Sequence, residues 1–433
     1  MLYEKEGRVF TKRTDKEWEI ILRDMVVGLS SEEREALEWL IGELRKGHYE
    51  VFEWLEQNKY KRKPVSMAQF LDDDYYMGKS TKSLYPALRR DLIEIVDGGP
   101  YRQVLLTGAI GFGKTTSISL LTARLLYELS CLRFPQVQYG LMAGADIVVA
   151  LISKNLQLAR SVLRRPLEGR ILLSPYFKEH FWPKVNKDEM KFPGRIKIVN
   201  SSAFTERILG MDVIGGAMDE VNFFGEFRPG MGGKADVAMN VYNSLLRRIK
   251  SRFLRAGGDL PGMMVVVSSA GHKGSFMDKH IQEVKGDPYV FVRDYAIWDV
   301  KPKHYFSGEK FWVLVGGGRL RSKILTEEEA RAVDEDELVE NGARLIQVPV
   351  EFREDFERNI EAAIRDIAGI SVSALNPFIH RMDKVEANMV REWRHPFNKE
   401  IYVYGDREFR VLWDEITVLK ERRLRNGFVE RYR

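Results

Sequence analysis

Two rhythms of apolar and polar positions run along this chain. In "SSEEREALEWLIGELRKG" (30–47), Leu37, Leu40, Ile41 and Leu44 recur at helical spacing, after a serine cap and an acidic first turn and before basic residues and Gly47. Residues 1–64 therefore read as an N-terminal helical region, closed by the exposed basic turn "KYKRKPVSM". "SLYPALRRDLIEIVDGG" is a second helix, feeding the apolar run Val104, Leu105, Leu106. Short apolar runs then alternate with helical stretches. "DIVVALIS" (146–153), "RIKIVNS" (195–201), "DVIGGAMDE" (212–220), "GMMVVVSSA" (262–270) and "PYVFVRDYAIWD" (288–299) read as strands. "NLQLARSVLRRPL" and "AMNVYNSLLRRIKSRFLR" read as the helices among them. This alternation predicts an α/β domain over 65–300, with a mostly parallel sheet and helices on both faces.

Beyond residue 300 the pattern changes. "EKFWVLVGGGRLRSKIL" predicts extended structure with a glycine turn, and "TEEEARAVDEDELVENG" an acidic helix. "PVEFREDFERNIEAAIRDIAG" predicts another helix, with a proline start and a glycine stop. Residues 301–433 read as a lid or linker subdomain. No internal repeat or low-complexity segment interrupts the chain.

Composition narrows the class without deciding it. With 433 residues, 44% hydrophobic and 30% charged, the chain can bury a sizeable core. A formal net charge of +5 is compatible with nucleic acid as a partner but does not argue for one. The one cysteine, Cys131, excludes an intrachain disulfide and a cysteine-based zinc cluster, and suits a reducing compartment. Its flanks read as loop, and the thiol as structural. The charged N-terminus lacks an apolar signal core, and no apolar run is long enough to span a membrane. The seven histidines show no metal-ligand spacing.

The chemistry begins at "LLTGAIGFGKTTSISLL" (105–121). Gly108, Gly113, Lys114 and Thr115 match G-x-x-x-x-G-K-[ST], between an apolar strand and a helix. Glycines let backbone N–H groups wrap phosphates, and the helix N-terminus adds favourable partial charge. Lys114 would reach the β- and γ-phosphates of ATP, and the Thr115 hydroxyl would bind magnesium (Mg2+). Ala109, Gly111 and Thr116 complete the phosphate-binding set.

Downstream, Asp219 ends an apolar strand and Glu220 follows at once. Such pairs are commonly solvated caps, but after a complete phosphate loop they suit hydrolysis. Asp219 would hold magnesium through its water shell, and Glu220 would polarise the attacking water. Ser268 and Ser269 end the next strand, where a hydroxyl could contact the γ-phosphate or that water. On "SLLRRIKSRFLR" (244–255), Arg247, Arg248, Arg252 and Arg255 share one arc and Leu245, Leu246, Ile249 and Phe253 another. Most of these arginines, like those of "ARSVLRRPLEGR" (159–170), read as a solvated face on a packed helix. In a ring of subunits such a face could meet a neighbour's nucleotide or DNA phosphates.

In this order, these residues resemble the ATPase portion of the large terminase subunit of tailed bacteriophages, over about 65–380. The resemblance rests on "YPALRRDLIEI" leading to "TGAIGFGKTT", on "SSAFTERILGMDVIGGAMDE", on the serine pair and on "VPVEFREDFERNIEAAIRDIAG". It implies a P-loop NTPase of the additional-strand, catalytic-glutamate type that hydrolyses ATP to drive double-stranded DNA into a prohead in the host cytoplasm. The implied partners are the DNA, the portal protein, the small terminase subunit and further copies in a ring. By position, the resemblance makes Asp219 the magnesium ligand, Glu220 the catalytic carboxylate, and Ser268 and Ser269 the coupling motif. Tyr85 would stack near the adenine. Arg207 is the first choice for a finger reaching a neighbouring subunit's γ-phosphate.

Two departures from that family stand out. Some members carry an arginine inside the phosphate loop, where this chain has Ala109 and Ile110. The stabilising arginine is then expected from elsewhere, another subunit being one source. The family's C-terminal nuclease, which works through carboxylates around two metal ions, does not fit into residues 380–433. Asp406, Asp414 and Glu415 read as surface charges, so no nuclease activity is expected from this chain. On this reading the nuclease is expected either to have been removed or to sit on another chain. Among rival readings, a helicase wants a second ATP-binding lobe, which 300–433 does not supply. A GTP switch wants Asn-Lys-x-Asp after a strand, and "NKDE" at 186 has Glu189 where aspartate should stand. A nucleotide kinase is disfavoured by the Asp219–Glu220 pair.

Overall fold

The structure is a computed structural model of the 433-residue chain. It describes residues 2–5, 8–11, single positions between 31 and 46, and 59–372 apart from 143, 187–188, 203–207, 209, 225–233, 255–259 and 318–319; it then describes 420–423 and 429–432. The chain divides into two compact units, 1–377 and 378–433.

The first unit opens with an antiparallel hairpin, β1 (Leu2–Lys5) with β2 (Arg8–Thr11), where helix was expected. Tyr3, Val9, Phe10 and Thr11 are strand-favouring residues, and helical spacing starts only later. The described positions between 31 and 46 are helical. Helices α1 (Met67–Asp72), capped by Ser66, and α2 (Pro86–Asp97), with proline in its first turn, flank a short helical turn at Gly78–Thr81 and lead to the sheet.

The central sheet has eight strands. In chain order these are β3 (Gln103–Gly108), β4 (Ile147–Ser153), β5 (Lys184–Val185), β6 (Glu189–Phe192), β7 (Ile196–Ser202), β8 (Val213–Asp219), β9 (Met264–Ser269) and β10 (Val290–Tyr295). In space they run β10-β3-β9-β8-β4-β7-β6-β5. The six strands from β10 to β7 are parallel, and β6 and β5 add an antiparallel edge. Strand β9 thus lies between β3, which carries the phosphate loop, and β8, which carries the acidic pair. This inserted strand is the additional strand that the resemblance implies.

Helix α3 (Lys114–Cys131) follows the loop and is buried almost all round, as its many apolar positions require. Cys131 closes this helix rather than lying in a loop, and burial pushes its thiol up. Helix α4 (Arg165–Leu173) continues a π-helical turn at Ala159–Arg164, and α5 (Pro175–His180) follows it. Helix α6 (Lys234–Phe253) buries Tyr242, Leu245, Ile249 and Phe253 against the sheet. Helices α7 (Phe276–Glu283) and α8 (Ile297–Val300) flank β10.

A three-stranded antiparallel sheet, β12-β11-β13, comes next: β11 (Lys310–Val315), β12 (Lys323–Leu325) and β13 (Arg344–Pro349). The expected acidic helix is two, α9 (Glu327–Arg331) and α10 (Glu335–Asn341). Asp334 restarts the chain as an N-cap, accepting from the Asp336 N–H. The last expected helix is also divided, into α11 (Arg353–Arg358) and α12 (Ile360–Asp366). Asn359 leaves the helical region and caps α12 by accepting from the Ala362 N–H. Phe356, Ala363 and Ile364 pack against Phe311, Val313 and Val348 of the small sheet. In the second unit, β14 (Lys420–Arg423) pairs antiparallel with β15 (Val429–Tyr432).

Candidate nucleotide site

Parallel strands set the site. In a sheet of this topology the carboxyl ends of β3, β8 and β9 open on one edge, and helices start there. Gly108 ends β3 beside Ser269, the last residue of β9. The chain then turns through Ala109 and Gly113 into α3, with Lys114, Thr115 and Thr116 as its first three residues. Gly108 and Gly113 have φ of +138° and +107°, values that side chains rarely tolerate. A Cβ on Gly113 would also lie 2.5 Å from Leu88 Cδ1, so α2 packs directly on the loop. Tyr85 is the N-cap of that helix, one turn before Leu88.

The protein already uses the first loop amides. The Ala109 N–H donates to the Tyr295 carbonyl (2.8 Å), and the Ile110 N–H to the Asp366 carbonyl (2.7 Å). Phe112 is buried and packs its ring 4.8 Å from that of Tyr295, whose hydroxyl donates to Asp91 Oδ2 on α2 (2.9 Å). Phosphates would be held by the amides that follow, from Gly111 to Thr116.

Across the cradle stands the acidic pair. Strand β8 is buried along its whole length and ends in Asp219. Burial first, and then the Glu220 carboxylate, push Asp219 up to about 7, with partial relief from Lys114. Its Oδ1 is buried with no hydrogen-bond partner among the described residues. A buried, unpartnered carboxylate oxygen beside a phosphate cradle is a fitting ligand for a divalent cation. Magnesium takes few protein ligands and completes its shell with phosphate and water, so Asp219 and the Thr115 hydroxyl would suffice.

Glu220 adopts the left-handed region (φ +55°), uncommon for a residue with a side chain. Its carboxylate accepts from the Ser269 N–H (3.2 Å) and the Ser269 hydroxyl (3.1 Å), and pairs with Lys114 Nζ at 2.9 Å. Lys114 also donates to Ser269 Oγ. Lys114, Glu220 and Ser269, from three separate segments, therefore form one network. Ser268 points elsewhere: it is buried, and its Oγ accepts from the Asn222 N–H (3.2 Å).

Other sequence candidates fall outside this cluster. Arg207 and Arg255 lie outside the described residues. Arg248 donates to the Met211 carbonyl (3.1 Å) and Arg252 pairs with Asp212 (3.0 Å), so both hold the segment that enters β8. Arg170 donates to Ser119 Oγ and to the Ser80 carbonyl, a packing role.

Sequence reasoning missed Asn222; it singled out the stretch ending at Gly369 but not the docking of segment 366–372 on the loop. The only signal at Asn222 was its place just after the acidic pair. Segment 366–372 reaches the loop through Asp366, and bridges β9's exit through Val372, which donates to the Gly271 carbonyl (3.2 Å) and accepts from the Lys273 N–H (2.9 Å).

The chain is similar to the large terminase of bacteriophage HK97 (13% identity, TM-score 0.41), covering 70% of this chain and 54% of that one. It is similar to the large terminase of the thermophilic bacteriophage D6E (11% identity, TM-score 0.38), covering 67% of this chain and 54% of that one. For the large terminase ATPase domain of Thermus phage P74-26 the values are 16% identity and TM-score 0.28, over 59% of this chain and 88% of that one. The chain thus spans about half the length of the HK97 and D6E proteins. No curated protein matches it. A family profile described as "Uncharacterized protein MJ0330, N-terminal P-loop domain" matches residues 41–311, well over half of the chain, and the protein belongs to that P-loop family.

Proposed function

We propose that this chain is an ATPase, and that its turnover moves double-stranded DNA as the motor of a phage large terminase. One observation carries the ATPase reading: the Glu220 carboxylate stands at the end of β8, facing the loop lysine Lys114 across the inserted strand. On this reading ATP phosphates displace Glu220 from Lys114, and the ammonium then neutralises the β- and γ-phosphates. The freed carboxylate accepts a proton from water as its oxygen attacks the γ-phosphorus and the bond to ADP breaks. Asp219 and Thr115 would hold magnesium, which supplies positive charge where the phosphate oxygens gain negative charge. Ser269, hydrogen-bonded to both Lys114 and Glu220, would register whether phosphate is present.

The DNA reading rests on the motif order and on segment 366–372. That segment hydrogen-bonds the phosphate loop at Ile110 and β9's exit at Gly271 and Lys273, so movement at either reaches residues beyond 300. A motor of this kind would work as a ring of copies on a portal-bearing prohead in the host cytoplasm, receiving DNA with the small terminase subunit. Among the described residues, no helix is long and apolar enough to cross a membrane.

Phosphate release should be measured with the chain alone, with double-stranded DNA, and with DNA plus a portal-bearing prohead. Stimulation by DNA, and further by the prohead, supports the motor. Hydrolysis indifferent to both sinks the packaging reading and leaves an ATPase.

A further inference from the structure

We infer that Asn222 is the positioning residue that fixes the Glu220 carboxylate for hydrolysis, through Ser269. Asn222 touches neither the phosphate loop nor Lys114 in any described hydrogen bond, yet its N–H and both polar atoms of its side chain are engaged around the acidic turn. Its N–H donates to Ser268 Oγ (3.2 Å) and its Nδ2 donates to the Ser269 carbonyl (3.0 Å). Its Oδ1 accepts from the Met277 N–H (3.0 Å). One side chain two residues beyond Glu220 thus ties the end of β8 to the end of β9 and to the start of α7.

The arrangement has a physical consequence at Ser269. This residue binds Glu220 through its N–H and hydroxyl, while its carbonyl is held by Asn222. Orienting the carbonyl fixes the residue that orients the catalytic carboxylate. Glu220 needs such support, because a left-handed residue with a side chain persists only when its surroundings over-determine it. A general base displaced even slightly from its water loses rate steeply.

The third bond shows that Asn222 replaces a local cap. The N-cap of helix α7 is Ser275, whose hydroxyl makes no cap bond and is buried without a partner among the described residues. The orphan Met277 N–H is satisfied instead from the acidic turn. One residue on, Asp278 Oδ1 accepts from the hydroxyl of Ser371 (2.7 Å), within the segment that docks on the phosphate loop. The acidic turn and segment 366–372 are therefore joined through α7.

The inference rests on the ATPase reading, and two substitutions separate positioning from capping. Asn222→Asp keeps an oxygen for the Met277 N–H but has no donor for the Ser269 carbonyl. Asn222→Ala has neither. Thermal midpoint, affinity for a fluorescent ATP analogue, and steady-state kcat and KM should be measured for both beside the parental chain. The aspartate variant should keep the parental midpoint and affinity while kcat falls about tenfold, the scale of one hydrogen bond felt in the transition state. The alanine variant should lose kcat to the same extent and also melt earlier. Parental kcat in Asn222→Asp overturns the inference and leaves Asn222 a helix cap. A loss of kcat in Asn222→Asp that Asn222→Ala does not share also overturns it, because the added charge would then be the cause. Loss through affinity alone overturns it as well. A parental chain that neither binds nor hydrolyses ATP overturns the ATPase reading together with this inference, whereas the other failures leave that reading standing.

Discussion

Lys114 Nζ lies 2.9 Å from Glu220 Oε1, so the cation suited to phosphate is ion-paired with the carboxylate suited to water. Incoming phosphate must compete with Glu220 for that ammonium. Glu220→Gln removes the competing charge and should bind ATP severalfold more tightly than the parent. Turnover should fall by roughly 10²–10⁴, the scale of a lost general base. Lys114→Ala should lose binding altogether. Titration with a fluorescent ATP analogue and single-turnover phosphate release check both halves. A glutamine variant that turns over at the parental rate would remove Glu220 from its role.

Asp219 carries a pH-dependent stability with a definite sign. Its folded value is raised from 3.8 to about 7, chiefly by burial and next by Glu220. Being raised, it contributes stability that is fully present below the unfolded value and lost as pH rises from about 4 to about 7. Without magnesium or nucleotide, the deprotonated form therefore costs the fold up to about 4 kcal/mol at pH 8, at roughly 1.4 kcal/mol per pH unit. Asp219→Asn should raise the melting midpoint at pH 8 in EDTA and leave it nearly unchanged at pH 4. Added magnesium and nucleotide should stabilise the parent more than the variant. A variant that melts earlier than the parent at pH 8 would contradict this account.

The sheet and the phosphate loop were legible because their signals are local. A buried parallel strand is a continuous apolar run, and Gly108, Gly113, Lys114 and Thr115 must keep fixed spacing to wrap a phosphate. The acidic pair was legible for the same reason. What sequence could not reveal depends on residues far apart in the chain. Asn222 acquires its meaning from Ser269 and Met277, 47 and 55 positions on, and nothing in "DEVNF" announces them. The two helix breaks beyond residue 325 were hidden because Asp334 and Asn359 sit inside stretches of helical composition, where their capping use wins over propensity.

Gly369 fastens the segment after α12 to the phosphate loop. Its φ is +70°, and a Cβ there would lie 2.4 Å from the Tyr295 carbonyl oxygen and 2.6 Å from the Ala109 nitrogen. Both neighbours are backbone and cannot swing aside. Gly369→Ala should destabilise the protein by about 1–3 kcal/mol, combining an unfavourable dihedral with the clash. It should also weaken nucleotide binding, since the Ala109 amide is part of the loop. Alanine on the exposed Gly140, where φ is +67° but no atom lies within 4 Å, controls for the dihedral alone. Equal melting curves for the two variants would show that segment 366–372 does not grip the loop.

Cooperation between copies gives the sharpest test of the motor reading. No arginine stands inside the phosphate loop, so an isolated subunit is expected to lack a charge that phosphoryl transfer uses. Arginine fingers contribute on the order of 10³–10⁵ in rate, so a lone copy should be slow and specific activity should rise with protein concentration. Among the arginines near β8, Arg248 and Arg252 are committed to Met211 and Asp212, which leaves Arg207 and the exposed Arg247 as candidates. Arg207→Ala should depress the assembled rate with nucleotide affinity nearly unchanged. Mixed with Glu220→Gln, each inactive alone, it should regain partial activity, because one variant supplies the finger and the other an intact site. Activity independent of concentration, with no rescue on mixing, would place the finger within its own subunit. If Arg207→Ala is silent while Arg247→Ala is not, the finger still acts between copies, and Arg247 is the residue.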